Sequence, residues 1–245
     1  MLEVALIKPS WPAPARVRAA FTLRTGGVSA PPFDSLNVGG HVGDAPEAVT
    51  ENRRRIRAQL GLPAEPAWLE QVHGTDVVDL DATAPYAPAD AAITRRLGRV
   101  CVMQVADCMP VLFAARDGSA VGAAHAGWRG LAAGVLEATV RKLGVEPAQL
   151  LTWLGPAIGQ EHFEVGDDVR AAFIARDAQA ASAFEANGRG RWQCDLYALA
   201  RYRLAAIGVS AISGGRWCTF AHATHFFSFR RDGRCGRMAA LIWLE

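Results

Sequence analysis

Two short apolar runs, residues 111–115 and 120–124, flank Arg116-Asp117-Gly118-Ser119, and this stretch restricts the fold more than any other in the chain. An Asp-Gly pair tolerates the positive φ angles of a tight two-stranded turn, so the segment reads as a β-hairpin. Register follows by counting: if 115 pairs with 120, then 111 pairs with 124, and Cys108 and His125 meet at the open end. A thiolate and an imidazole brought together in this way are either part of a metal site or a nucleophile with its base.

A third donor lies upstream. Gln71-Val72-His73-Gly74-Thr75-Asp76 follows the short apolar run Ala67, Trp68, Leu69 and begins a turn, so His73 also sits where a strand ends. The order His, Cys, His over residues 73–125 is too spread for a zinc finger, whose ligands cluster within a few residues. The fold must therefore assemble any site they share. Two nitrogens and one sulfur resemble catalytic zinc sites that leave a fourth position open; the alternative is that both histidines are ordinary strand-end residues.

Composition bounds the rest. At 245 residues the chain can bury roughly 70–75% of its unfolded surface, enough for a large core without disulfides. A net charge of +2, from 26 basic and 24 acidic residues, gives no global attraction to a polyanion, which argues against nucleic acid as a partner. Basic residues cluster only locally, as in Arg53-Arg54-Arg55-Ile56-Arg57 and Arg230-Arg231-Asp232-Gly233-Arg234. The five cysteines form no regular framework, and the opening residues 1–9 carry an acid where a secretory signal carries a base. No run approaches the about 18 apolar residues of a membrane span. The expectation is a cytoplasmic protein with free thiols, without membrane contact, and monomeric or weakly homo-oligomeric.

No linker or repeat divides the chain; residues 82–89, rich in Ala and Pro, read as a loop. Asp44-Ala45-Pro46-Glu47 predicts a capped helix start, ended by Gly61 and Pro63. Further helices are predicted over 131–143, about 168–175, and 196–207 capped by Asp195. Strands are predicted over 17–23, 77–80, 100–106, the hairpin, 151–154, 209–213, 226–230 and 237–244, the last two forming a second hairpin about residues 231–234. Helices interleave with hairpins, so the class is α+β (mixed α/β): one domain over 1–245, with mixed β-sheets, flanking helices, and the ligand candidates on one sheet edge.

Several segments together carry a resemblance: Phe21-Thr22-Leu23-Arg24-Thr25-Gly26-Gly27-Val28-Ser29, Ser35-Leu36-Asn37, His41-Val42-Gly43-Asp44, Glu51-Asn52-Arg53, Trp68-Leu69-Glu70-Gln71-Val72-His73-Gly74, Ala106-Asp107-Cys108, His125-Ala126-Gly127-Trp128-Arg129-Gly130, Gly155-Pro156-Ala157-Ile158-Gly159 and Phe226-Phe227-Ser228-Phe229-Arg230. In order and without large gaps from about residue 8 to 244, they resemble the motifs of the YfiH family, also called laccase-domain, polyphenol oxidase or purine nucleoside phosphorylase. The resemblance implies a YfiH-like fold and a cytoplasmic zinc enzyme. Its implied reactions are phosphorolysis of adenosine, inosine and methylthioadenosine, and deamination of adenosine. A peptidoglycan editing role, removal of L-serine from a UDP-MurNAc precursor, is also attributed to members of the bacterial type. The family's metal ligands map onto His73, Cys108 and His125. Gln160-Glu161-His162-Phe163 departs from the motif set, and Cys101, Cys194 and Cys235 belong to none of it.

Zinc would bring a bound water's pKa toward about 7, suited to attack on a purine carbon. The nucleobase deaminase signature H-x-E with P-C-x-x-C is absent, so any deamination uses another scaffold. Phosphorolysis asks for a cationic cradle for phosphate, for which Arg53, Arg129 and Arg230 are candidates because guanidinium forks match phosphate oxygens. Arg53 also reads as part of a solvated helix face, whereas Arg129 lies in a Gly-flanked turn that can add backbone donors to an anion. With Cys108 and His125, Arg129 completes the candidate catalytic set. Asn37 and Gln71 could read base or ribose, or merely satisfy nearby backbone. Asp107, beside Cys108, reads as a supporting residue. Of Phe226, Phe227 and Phe229, only one need face a purine.

Three enzyme classes compete. One is the zinc nucleoside enzyme, with purine nucleosides and phosphate as small-molecule substrates. Another is a cysteine hydrolase in which Cys108 attacks an amide and a histidine is its base. The third is a copper-dependent polyphenol oxidase; six histidines without a His-X-His pair are too few for a multinuclear copper centre, although one adventitious copper could enter a His₂Cys site. A binding module without catalysis would leave the open ligand set unexplained.

Overall fold

The computed structural model describes residues 3–82 and 88–245. In chain order the elements are β1 (Leu6–Ile7), β2 (Val17–Thr22), α1 (Pro46–Leu60), β3 (Val77–Asp79), β4 (Ala91–Thr94), β5 (Val100–Val105), β6 (Met109–Ala115) and β7 (Val121–Ala126). There follow α2 (Trp128–Ala133), α3 (Val135–Leu143), β8 (Leu150–Leu154), β9 (Glu164–Val165), α4 (Asp167–Ile174), β10 (Phe184–Ala186) and β11 (Trp192–Cys194). The chain closes with α5 (Leu196–Ala206), β12 (Ala211–Gly214), α6 (Phe229–Asp232) and β13 (Met238–Leu244).

Side-chain alternation along the central strands dictates the layering. In β6, Val111 and Phe113 point to one apolar cluster with Leu131, Val135, Leu136 and Leu199 of the helices, while Leu112 and Ala114 point to another. In β13, Ala240 and Ile242 join that second cluster, and Leu241 and Trp243 join a third with Ile56 of α1. Period-two alternation with both faces buried gives continuous apolar runs and stacks four layers: α1, a four-stranded sheet, a six-stranded sheet, and the helices α2 to α5. The small sheet runs β1-β2-β13-β5 and the large one β12-β8-β6-β7-β4-β3, with a three-stranded sheet β10-β11-β9 beside them. Parallel pairs β3/β4 and β12/β8 within otherwise antiparallel ladders make the large sheet mixed, as the interleaved helices and hairpins imply.

The β6/β7 hairpin has the register obtained by counting: Val111 pairs with Ala124, and the Ala115 amide donates to the Ala120 carbonyl. The second predicted hairpin does not form. Residues 226–230 are not a strand; Phe226 and Phe227 are fully buried anchors, and Ser228, whose hydroxyl accepts from the Arg231 amide, caps the short α6. Arg231 fixes the turn by donating to the carbonyls of Thr219, Phe220 and Phe226.

The helix predicted over 131–143 is two helices, because Gly134 at φ +109° ends α2 and starts α3. Asp44 does not cap α1: its Oδ2 accepts from Ser29 Oγ at 2.6 Å and Asn37 Nδ2 at 2.9 Å, leaving Ala45 as cap. Asp195 does cap α5, accepting from the Ala198 amide at 3.0 Å, and Gly61 closes α1 in the left-handed region. Of the loop predicted over 82–89, residues 83–87 lie outside the described residues. All five cysteines are free thiols, and among the described residues no helix is long and apolar enough to cross a membrane.

Candidate metal centre and active site

The mouth between the four- and six-stranded sheets is where the sequence's sulfur and imidazole donors converge. Residues 121, 123 and 125 of β7 face the small sheet, so His125, last in that series, stands at the strand's end on the same side. Cys108 lies two residues before Pro110, the register partner of His125, and so takes the same face. Opposite Cys108 lies Gly127, where a Cβ would sit 2.9 Å from Cys108 Sγ and 3.0 Å from the His73 ring. Only glycine leaves room there for the sulfur.

His73 arrives from a turn with φ +61°, a left-handed conformation that a single histidine tolerates when neighbours fix it. The fixing group is Asp90, immediately before β4. Its carboxylate accepts the amides of Val72 at 3.1 Å, His73 at 2.9 Å and Gly74 at 2.6 Å, and the ring Nδ1 of His125 at 2.8 Å. Burial pushes the Asp90 carboxyl up, but the His125 ring and the Gly74 and Val72 amides outweigh it and hold it below the ordinary range. An ionised carboxylate only accepts, so His125 carries its proton on Nδ1 and presents Nε2 to the cavity.

One donor atom each from His73, Cys108 and His125 lie within 4.8 Å of one another, about an ångström wider at most than the roughly 3.3–3.8 Å that separates ligand atoms around one tetrahedral zinc. Cys108 Sγ is 3.8 Å from His73 Nε2, and the two rings meet edge to face with centroids 4.8 Å apart. Burial pushes the Cys108 thiol up, yet His125, by charge and hydrogen bond, and then His73 bring it down to about 6. For His125 burial acts downward, while Cys108 and Asp90 raise its pKa to about 9. Two imidazoles, a ready thiolate, and a carboxylate behind one of the imidazoles form the donor chemistry of a zinc site, so the residues present fit the metal.

The three donors line a cavity of about 380 Å³, within the range of small-molecule sites. A larger groove of about 630 Å³ runs beneath the N-terminal segment by Trp11 and Trp243, away from these donors. Of the residues singled out in the sequence, Gln71, Arg129 and Arg230 line the 380 Å³ cavity. Gln71 exchanges hydrogen bonds with the Gln104 backbone at 2.8 and 2.9 Å, and Arg129 lies over the Trp128 ring. Arg230 donates Nη1 to the Glu164 carbonyl at 2.9 Å. Phe229, 58% exposed, faces the same space while Phe226 and Phe227 do not.

Arg53 and Asn37 are placed elsewhere. Arg53 spends Nε and Nη2 on the Val38 carbonyl and stacks over Trp68; Asn37 is fully buried, bonded to Gly39, Asp44 and Arg237. Asp107 supports the wall: its carboxylate accepts from Thr219 Oγ1 at 2.6 Å and the Arg230 amide at 2.7 Å. Sequence reasoning missed Asp90, which follows an Ala/Pro tract and reveals itself only through β4. It also missed the lining residues His41 and Arg237, although His41 opens the segment His41-Val42-Gly43-Asp44 and Arg237 stands just before the last strand.

Comparison with known proteins gives the chain a family. A family described as multi-copper polyphenol oxidoreductase laccase matches residues 18–245. The chain belongs to that family. A Pseudomonas aeruginosa relative named purine nucleoside phosphorylase is 55% identical over 98% of this chain and 99% of its own. The Escherichia coli relative named purine nucleoside phosphorylase YfiH is 54% identical over 98% of each. Among solved structures, a Neisseria meningitidis protein superposes with TM-score 0.93 at 49% identity, covering 98% of this chain and 99% of that one. YlmD from Geobacillus stearothermophilus gives 0.88 at 33%, covering 96% and 94%. The chain is thus a YfiH-type member of the family. Among its described residues, His73, Cys108 and His125 are the group able to hold a metal.

Proposed function

We propose that the protein is a zinc-dependent purine nucleoside phosphorylase, converting adenosine, inosine and methylthioadenosine to the free base and the corresponding ribose 1-phosphate, and that it also deaminates adenosine. The observation that carries this reading is one cavity in which the His73, Cys108, His125 set stands beside the guanidinium groups of Arg129 and Arg230 and an exposed aromatic ring. The names of relatives about half identical over their whole length support the substrate class.

In this reading His73, Cys108 and His125 would hold the metal, which would supply a Lewis acid. Arg129 and Arg230 hold the phosphate with guanidinium donors left over from their structural contacts. Phe229 offers its face to the purine, and Gln71 fixes the wall beside it. Phosphate oxygen attacks the ribose anomeric carbon, the glycosidic bond breaks, and the purine takes the bond's electrons together with the proton that hydrogen phosphate gives up.

Adenosine incubated with the zinc-loaded protein and phosphate should yield adenine with ribose 1-phosphate, and separately inosine; without phosphate only inosine should appear. Arg129→Ala should impair the phosphate-dependent reaction more, by the roughly 1.5–3 kcal/mol of a charge-assisted contact. Equal loss of both activities would remove Arg129 from the phosphate.

A second reading is favoured by a specific observation: without metal, the lowered Cys108 thiol and the raised His125 ring are a nucleophile and its partner acid. Such a pair suits amide hydrolysis, such as removal of L-serine from a peptidoglycan precursor. Zinc that abolishes rather than supports turnover would favour it.

A further inference from the structure

The cavity is more cationic than the phosphate cradle already assigned. Arg129, Arg230 and Arg237 all line it, and the carboxylate among its lining residues, Asp107, is already engaged by Thr219 and the Arg230 amide. Three guanidinium groups around one concave space focus a positive potential that a multiply charged anion neutralises.

Arg237 is the most firmly placed of the three. Its amide donates to Asn37 Oδ1 at 2.8 Å, and its carbonyl accepts the Val38 amide at 3.1 Å. Its stem passes Gly39, where a Cβ would lie 2.7 Å from Arg237 Cγ, so glycine there is what lets the side chain through to the cavity. Nη1 is spent on the carbonyls of Cys235 and Gly236 at 2.9 and 3.0 Å. Nε and Nη2 hydrogen-bond to none of the described residues, leaving one edge of the fork unspent. Arg53, by contrast, spends that same edge on Val38.

His41 lines the same cavity. Its imidazole can offer an N–H to an anion held there.

We propose that the Nε/Nη2 edge of Arg237, with His41 beside it, is a phosphate-binding subsite of the cavity. This rests on the phosphorolytic reading and deepens it, placing at Arg237 the role the sequence suggested for Arg53. A phosphate oxygen pair accepts from the guanidinium edge while Arg129 and Arg230 neutralise the remaining charge.

The test titrates inorganic phosphate into the zinc-loaded protein without nucleoside, by calorimetry, for wild type, Arg237→Gln, Arg237→Lys and Arg18→Gln, a surface control paired with Glu245. Glutamine keeps a donor for the Cys235 and Gly236 carbonyls, and near-ultraviolet circular dichroism reports whether the fold is kept. Arg237→Gln should weaken phosphate binding about tenfold or more, Arg237→Lys less, and Arg18→Gln less than twofold. Phosphate affinity equal to wild type in folded Arg237→Gln, or no phosphate binding by wild type, overturns the subsite. Adenosine phosphorolysis in the same samples separates the two claims. Ribose 1-phosphate formed with an unchanged KM for phosphate in Arg237→Gln leaves the function standing and removes the subsite. An Arg237-dependent phosphate affinity without ribose 1-phosphate does the reverse.

Discussion

Asp90 governs the site from a single position. Its buried carboxylate ties the turn that carries His73 to the ring of His125, so two of three donors share one anchor. Asp90→Asn, which exchanges one acceptor for a donor, should lower zinc affinity about 10- to 100-fold, as outer partners of metal ligands do elsewhere. Competition with a chromophoric chelator reads it; unchanged affinity would mean that His73 and His125 need no such anchor. Cys108 offers a second check. With its thiol brought down to about 6, metal-free protein should be alkylated by iodoacetamide at a rate that levels off near pH 7, because the thiolate fraction is then nearly complete. Added zinc should protect it. A rate still rising through pH 9 would show an ordinary thiol. Cys108, His125 and His73 were legible in the sequence because the hairpin turn sets the first two and a strand-ending motif marks the third. Asp90 was not, since nothing local links it to the turn at residues 72–74 or to His125.

Among the elements, the β6/β7 hairpin was legible because an Asp-Gly turn and register counting are local. The segment 226–232 was not: apolar runs of double-buried strands and a pair of buried aromatic anchors look alike in sequence, and α6 is decided by Ser228 and by Arg231 reaching distant carbonyls. Asp44 shows the same limit, a cap by pattern that tertiary bonds to Ser29 and Asn37 divert. Because Ser228 orders the turn that presents Phe229 and Arg230, Ser228→Ala should cost about 1 kcal/mol as a lost helix cap. For a chain of this length that lowers the thermal midpoint by roughly 2–4 °C. An unchanged midpoint would show that Arg231 alone holds the turn.

For the molecule as a whole, the four- and six-stranded sheets and their flanking helices leave a mouth where strand ends, the His73 turn and the α6 segment meet. The layering follows from strands apolar on both faces, and the site from what stands at their ends. In the proposed function one metal held by His73, Cys108 and His125 serves the phosphorolytic reaction. Metal content and ribose 1-phosphate formation, measured on the same preparations of wild type and Cys108→Ala purified without added metal, test it most directly. The account predicts about one zinc per chain and phosphate-dependent product for wild type, with both lost together in Cys108→Ala. A metal-free Cys108→Ala protein that forms ribose 1-phosphate at the wild-type rate would contradict it.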